Sequence, residues 1–154
     1  MSLFPQKIYL ACDHAGYELK EYLRQYLSTK YESVNIQLID LGCNSSSKSV
    51  DYPDFAKDLC QKIDVSNNQE LGILICGSGI GMSICANKFK NIRAALCFNE
   101  ELSFLSRSHN NANILCLAAR FIDNDTALKT LQTFLDTRFE EGRHKIRVNK
   151  IETE

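Results

Sequence analysis

The sequence predicts an α/β fold: a doubly wound, five-stranded parallel sheet with helices on both faces. Three observations predict it. Short apolar runs alternate five times with stretches whose apolar residues recur at helical spacing. The run from Leu71 to Cys76 leads straight into the glycine-rich turn Cys76-Gly77-Ser78-Gly79-Ile80-Gly81 and then into a helical pattern. No internal repeat, low-complexity tract or interdomain linker interrupts the series. Five β-α units in sequence argue for parallel strands joined by crossover helices, a three-layer Rossmann-like arrangement in a single domain spanning residues 1–154.

In chain order, Lys7 to Cys12 reads as a short buried strand. Leu19, Tyr22, Leu23, Tyr26 and Leu27 then mark a helix. Val34 to Leu41 alternates as a second strand, followed by a polar, serine-rich loop from Gly42 to Tyr52. Phe55, Leu59, Cys60 and Ile63 mark the second helix, and the polar stretch Ser66 to Glu70 precedes the third strand. A short helix is expected from about Gly81, a fourth strand over Ile92 to Cys97, and a helix over about Asn99 to His109. Asn113 to Ala119 makes the fifth strand. Asp123 and Asp125 offer N-caps to a helix carrying Leu128, Leu131, Phe134 and Leu135, which Gly142 is expected to end. The remaining tail, about 142–154, is expected to pack at the functional site or at a subunit interface.

Composition excludes several classes of function. The 154 residues are 44% hydrophobic, enough to bury an ordinary core. Lys plus Arg number 18 against 19 for Asp plus Glu, so no global charge favours nucleic acid or an acidic membrane surface, and any anion binding must be local. The seven cysteines (12, 43, 60, 76, 85, 97 and 116) are odd in number and contain no C-x-x-C pair, which argues against a disulfide framework or a structural zinc site. No basic and apolar leader opens the chain, and no apolar run approaches the ~18 residues of a membrane span. A reducing cytoplasm is the expected compartment.

Open α/β sheets bind ligands beyond the carboxyl ends of their strands, near the point where strand order reverses. The loops after strands one and three are therefore the expected site. They carry Asp13-His14-Ala15-Gly16 and Cys76-Gly77-Ser78-Gly79, which would bring together a carboxylate, an imidazole, a thiol and a hydroxyl. The three glycines at 77, 79 and 81 let the backbone turn tightly and approach a ligand, and the amides that open the next helix can hold an anion.

Five motifs in register, CDHAG at 12–16, DYPD at 51–54, CGSGIGMSICANK at 76–88, SRSHNNAN at 106–113 and EGRH at 141–144, resemble the ribose-5-phosphate isomerase B family. This family belongs to the lactose/allose-type sugar-phosphate isomerases. The resemblance implies cofactor-independent interconversion of ribose 5-phosphate and ribulose 5-phosphate through an enediolate, with no metal. Such a reaction needs one base near both C1 and C2, and donors for the developing oxyanion. By resemblance Cys76 is that base, and a helix N-terminus beside it favours the thiolate. A second branch of the family has a glutamate base six positions later. Met82 stands there in this chain, which places it in the thiol branch.

The resemblance also implies that Ser78 steadies the substrate hydroxyls or the thiol. The amides of Gly77, Ser78, Gly79, Ile80 and Gly81 hold the enediolate oxygen. Asp13 meets the sugar hydroxyls and His14 lies near the phosphate. His109 protonates the ring oxygen to open the cyclic sugar, and Asn110 is a substrate ligand. Arg120, Arg143 and Arg147 hold the phosphate with His144 assisting. Tyr52 reads as a pocket wall, with core packing as the alternative. Arg107 and Lys88 read as surface or packing residues. The rival functions are a six-carbon isomerase for allose or galactose 6-phosphate, and a non-catalytic flavodoxin-like module that binds a nucleotide or phosphoprotein.

Geometry adds an expectation about assembly. A helix from about Asn99 to His109, ~16 Å long at 1.5 Å per residue, runs back from the carboxyl end of its strand and leaves His109 on the far side of the sheet from its own Cys76. Sharing one site then requires two chains, so a homodimer, or a tetramer built from it, with shared active sites is expected. The same geometry allows the Arg143 to Arg147 tail to turn either way.

Overall fold

The period-2 alternation of the strands divides the structure into layers. The computed structural model describes residues 5–66 and 68–152; residues 1–4, 67, 153 and 154 of the expected domain lie outside the described residues. Five parallel strands, β1 (Lys7–Cys12), β2 (Gln37–Asp40), β3 (Glu70–Cys76), β4 (Ala94–Leu96) and β5 (Ile114–Ala118), form one sheet in the order β2-β1-β3-β5-β4. Ile8, Leu10 and Cys12 of β1 with Ile73 and Ile75 of β3 face one layer. Tyr9 and Ala11 with Leu74 and Cys76 face the other.

The first layer holds α1 (Tyr17–Lys30) and α5 (Asn124–Asp136), whose Leu23, Leu27, Leu131 and Phe134 are fully buried. Helix α4 (Glu100–Ser108) packs on α5. The second layer holds α2 (Tyr52–Lys62) and α3 (Ile80–Ala86), with Leu59, Met82 and Ala86 fully buried. Each such leucine or phenylalanine contributes roughly 1.5–3 kcal/mol by leaving water. Burial on both faces explains why β1, β3 and β5 read as unbroken apolar runs. Among the described residues no helix is long and apolar enough to cross a membrane.

Several boundaries differ from the expected ones. Val34 lies in a turn and is 40% exposed, so β2 begins at Gln37: only the residues that pair with Lys7 to Leu10 are held extended. β4 is shorter than expected, Ala94–Leu96, the three residues that pair with Ile114 to Cys116 of β5. Asp123 is the N-cap of α5, its carboxylate accepting from the Thr126 amide at 2.7 Å, whereas Asp125 sits in the first turn and pairs with Lys129. Gly142 ends no helix. α5 stops at Asp136, and Gly142 opens a sixth helix, α6 (Gly142–Val148), so the expected tail is a docked element with His144 buried.

Candidate active site

Strand order reverses between β1 and β3, because the chain leaves β1 toward β2 on one side and later returns to β3 on the other. Their carboxyl ends lie together, with Cys12 in register with Ile75 and the Asp13 amide donating to the Ile75 carbonyl at 3.1 Å. The loops after strands one and three therefore do converge.

Cys76 ends β3, only 4% exposed, and the Gly79 amide donates to its Sγ at 3.2 Å. The turn that delivers this amide demands glycine. Gly79 has φ +72°, and a Cβ there would lie 2.5 Å from Leu96 Cδ1. The Ile80 amide donates to Ser78 Oγ at 3.3 Å. Two of the five amides assigned by resemblance to the enediolate thus have partners inside the loop itself.

Other thiols differ. Burial pushes Cys60 up to about 12 and Cys97 up to about 11, and pushes Cys12 and Cys116 up further still. These are apolar packing groups. All seven cysteines are free.

Around Cys76 the structure gathers most of the expected residues. Arg120 follows β5, its amide donating to the Gly77 carbonyl at 3.0 Å, and its guanidinium lies over Gly77, where a Cβ would sit 3.2 Å from Nη1. Tyr52, which opens α2, lays its ring over Gly81, where a Cβ would come within 2.6 Å. It is 39% exposed and walls the turn rather than filling the core. Asp13 is buried, and its Oδ1 accepts from the Gly16 amide at 3.1 Å, capping the short 3₁₀ turn His14–Gly16. Its carboxylate thus has a local structural duty as well as a place beside β3. The Val50 amide donates to His14 Nδ1 at 3.2 Å, which puts the proton of the neutral ring on Nε2 and ties the serine-rich loop to the site.

His109 and Asn110 are elsewhere. His109 caps the C-terminus of α4, and the chain then enters β5 at its amino end, where the Asn113 amide meets the Arg93 carbonyl. Cys76 pairs with Ala118 at the other end of β5, four residues or ~13 Å of strand away. α6 lies on the His109 side: His144 stacks on His109 with ring centroids 4.1 Å apart, parallel within 8°, and the Glu140 amide donates to the Ser108 carbonyl at 3.0 Å. Burial, followed by the nearby His109 and Arg143, holds His144 below the ordinary imidazole value. Arg143 and Arg147 ride on this same helix, and both are exposed. One chain therefore holds the expected residues in two separate groups: Cys76, Ser78, Asp13, His14, Tyr52 and Arg120 at the carboxyl ends of the strands, and His109, Asn110, Arg143 and Arg147 at the amino ends.

Arg107 is structural. It donates to the Ala112 and Thr137 carbonyls and lies over the Phe134 ring, and burial brings its guanidinium down to about 10. Met82 is fully buried. An ion pair on a fully buried lysine escaped the sequence reading. Lys20 Nζ donates to Asp40 Oδ1 and Oδ2 at 2.7 and 2.8 Å, and Asp40 in turn accepts from the Gly42 amide. The signal was a lysine placed three and seven residues before Leu23 and Leu27, inside the apolar stripe of α1.

A thiol, a carboxylate, an imidazole and an arginine converging on the switch point of a doubly wound sheet define an α/β enzyme of acid-base type. The chain belongs to the Ribose/Galactose Isomerase family, whose sequence model matches residues 8–151. It is 42% identical over 144 residues to the probable ribose-5-phosphate isomerase B of Mycoplasma genitalium, covering 94% of this chain and 92% of that one. Ribose 5-phosphate isomerase B from Anaplasma phagocytophilum superimposes with a TM-score of 0.88 at 45% identity, covering 99% of this chain and 100% of that one. The Mycoplasma genitalium enzyme with bound ribulose-5-phosphate superimposes with a TM-score of 0.87 at 41% identity, over 94% and 93% of the two chains.

Proposed function

We propose that this chain interconverts ribose 5-phosphate and ribulose 5-phosphate, with Cys76 as the base that moves the proton between C2 and C1. The observation that carries this reading is the seating of Cys76: a thiol at the strand-order reversal, with an amide on its sulfur, Asp13 beside it and Arg120 over the adjoining turn. Similarity to an enzyme described with bound ribulose-5-phosphate supports the substrate.

In this mechanism His109 protonates the ring oxygen of the cyclic sugar as the anomeric hydroxyl loses its proton, giving the open aldose. The Cys76 thiolate then takes the proton from C2. The electron pair moves through C1 onto the carbonyl oxygen, and backbone amides of the 77–81 turn receive the negative charge. Return of the proton from Cys76 to C1, with transfer of the C2 hydroxyl proton to the C1 oxygen, leaves the ketose. Asp13 orients the hydroxyls, with Ser78 and Asn110 as further ligands and Tyr52 as the wall. His14 Nε2–H, Arg120, Arg143 and Arg147 hold the phosphate dianion through charge-assisted hydrogen bonds. No step needs a metal or a nucleotide.

Because the two groups of residues lie at opposite ends of the sheet, the active form in this reading is a homodimer in which His109, Asn110 and α6 of one chain complete the Cys76 site of the other. Exposed apolar side chains on α3 and α4, among them Ile80, Ile84, Leu102 and Phe104, support such an interface. Seven free thiols suit the reducing cytoplasm.

The test is turnover by reduced, metal-free protein of ribose 5-phosphate against allose 6-phosphate and galactose 6-phosphate. Preferred conversion of the five-carbon sugar is expected. Preference for a six-carbon sugar, or turnover abolished by chelation and restored by a divalent metal, would overturn the reading. A co-purifying nucleotide with no turnover would favour the non-catalytic alternative.

A further inference from the structure

We propose that His109, Glu140 and His144 form a divalent transition-metal site of the two-histidine, one-carboxylate type, and that an ion bound there stops the isomerase. Three separate elements supply the ligands: His109 from the end of α4, Glu140 from the segment after α5, and His144 from α6. Their ligand atoms all lie within 4.8 Å of one another. Glu140 Oε2 stands 3.9 Å from His109 Nε2 and 3.7 Å from His144 Nε2. Those separations are too long for direct hydrogen bonds, which need about 2.7–3.2 Å. They are close to the roughly 3.3–3.6 Å between ligand atoms each about 2.0–2.2 Å from a tetrahedral ion.

The cluster is held from the backbone as well. The Glu140 amide is fixed on the Ser108 carbonyl, and the His144 amide on that of Glu141. Among the described residues, no Lys or Arg ion-pairs with the Glu140 carboxylate. Two imidazoles with one carboxylate suit Zn²⁺, Co²⁺ or Cu²⁺ better than Mg²⁺ or Ca²⁺, which prefer all-oxygen shells. The neighbouring cations Arg143 and Arg147 oppose a metal ion, so coordinate bonds rather than net charge must retain it. Binding also requires one ring to tilt, because parallel rings do not converge their lone pairs. His109, 36% exposed, has room to turn, whereas His144 is packed.

The inhibitory half of the proposal rests on the role given above to His109. Coordination occupies the Nε2 lone pair, so the ring can no longer exchange a proton with the sugar. The ion therefore acts on the same residue that would open the ring, and it serves no catalytic step.

The test uses Co²⁺ as the probe on the reduced, full-length protein. One Co²⁺ per chain is expected, with ligand-field absorption and no thiolate-to-cobalt charge-transfer band. Affinity is expected to fall at least tenfold in Glu140→Gln and in His144→Ala. A thiolate band, or unchanged affinity in both variants, would overturn the site. Glu140 is half exposed, so Glu140→Gln folds and keeps its basal turnover, and that turnover should resist a Co²⁺ concentration that cuts the wild type at least tenfold. EDTA should restore the wild type. Full Co²⁺ loading with undiminished turnover of ribose 5-phosphate would keep the metal site but refute its inhibitory role, removing His109 from the reaction while leaving the Cys76 chemistry standing.

Discussion

The Gly79 amide donates to the Cys76 sulfur at 3.2 Å, three residues apart in a turn that only a glycine at 79 can make. Cys60, Cys97 and Cys116 lie away from this turn as packing thiols, each pushed up by burial. Cys76→Ala is expected to lower kcat by about 10²–10⁴-fold, the usual worth of a positioned acid or base, with the thermal unfolding midpoint nearly unchanged. Cys60→Ala and Cys85→Ala should remain active. Retention of half the wild-type kcat by Cys76→Ala would eliminate the thiol as base.

Gly79→Ala probes the turn itself. A Cβ 2.5 Å from Leu96 Cδ1, added to a positive φ, is expected to cost about 1–3 kcal/mol of stability. Because it also pulls the amide off the sulfur, turnover should fall further than the lost stability explains. Urea titrations alongside kinetics at a temperature where the variant stays folded separate the two effects.

Phosphate anchoring should show in KM. Arg120→Ala, Arg143→Ala and Arg147→Ala each remove a charge-assisted contact worth about 1.5–3 kcal/mol, so KM is expected to rise roughly 10- to 100-fold with a smaller change in kcat. Competitive inhibition by inorganic phosphate should weaken in parallel. Three variants with unchanged KM would show the phosphate to be held elsewhere.

Acid stability should depend on Glu70. This carboxyl is buried, which alone would push it up. Lys7 Nζ at 2.7 Å and the Asp64 amide at 2.8 Å outweigh that and hold it below the usual range. An unfolded glutamate takes up its proton near ~4.3, so the folded state binds fewer protons than the unfolded one just below that pH. The stability from Glu70 is therefore complete above ~4.3 and lost as pH falls through the lower folded value. Glu70→Gln should cost about 1–3 kcal/mol at pH 7, where an amide replaces a charged acceptor, and should flatten the loss of stability as pH falls below ~4.3. An equally steep acid limb in the variant would refute the assignment.

The parts of this molecule legible in its sequence are those set by local pattern. β1 and β3 announce themselves as apolar runs, and the turn after Cys76 as glycines at three of five positions, so the convergence of the two loops around Cys76 follows from strand order alone. Helix direction placed His109 at the opposite end. What tertiary contact decides is not legible. Arg143 to Lys150 has the composition of a solvated tail, yet Gly142–Val148 folds as a helix because His144 finds the face of His109. Asp123 and Asp125 are equivalent as cap residues, and only the Thr126 amide distinguishes them. The Lys20–Asp40 pair joins residues twenty apart in sequence, with only a lysine in an apolar stripe to hint at it.

The proposed division of the site between two chains is tested most directly by mixing Cys76→Ala and His109→Ala proteins, each expected to be inactive alone, and allowing subunits to exchange. Random pairing makes half the dimers hybrids, and each hybrid has one doubly altered site and one site with both groups intact. About a quarter of wild-type activity toward ribose 5-phosphate is therefore predicted, from equal site counts at random pairing. No recovery, with exchange verified by native mass spectrometry, would contradict a shared site and require Cys76 and His109 to act within one chain or not together at all.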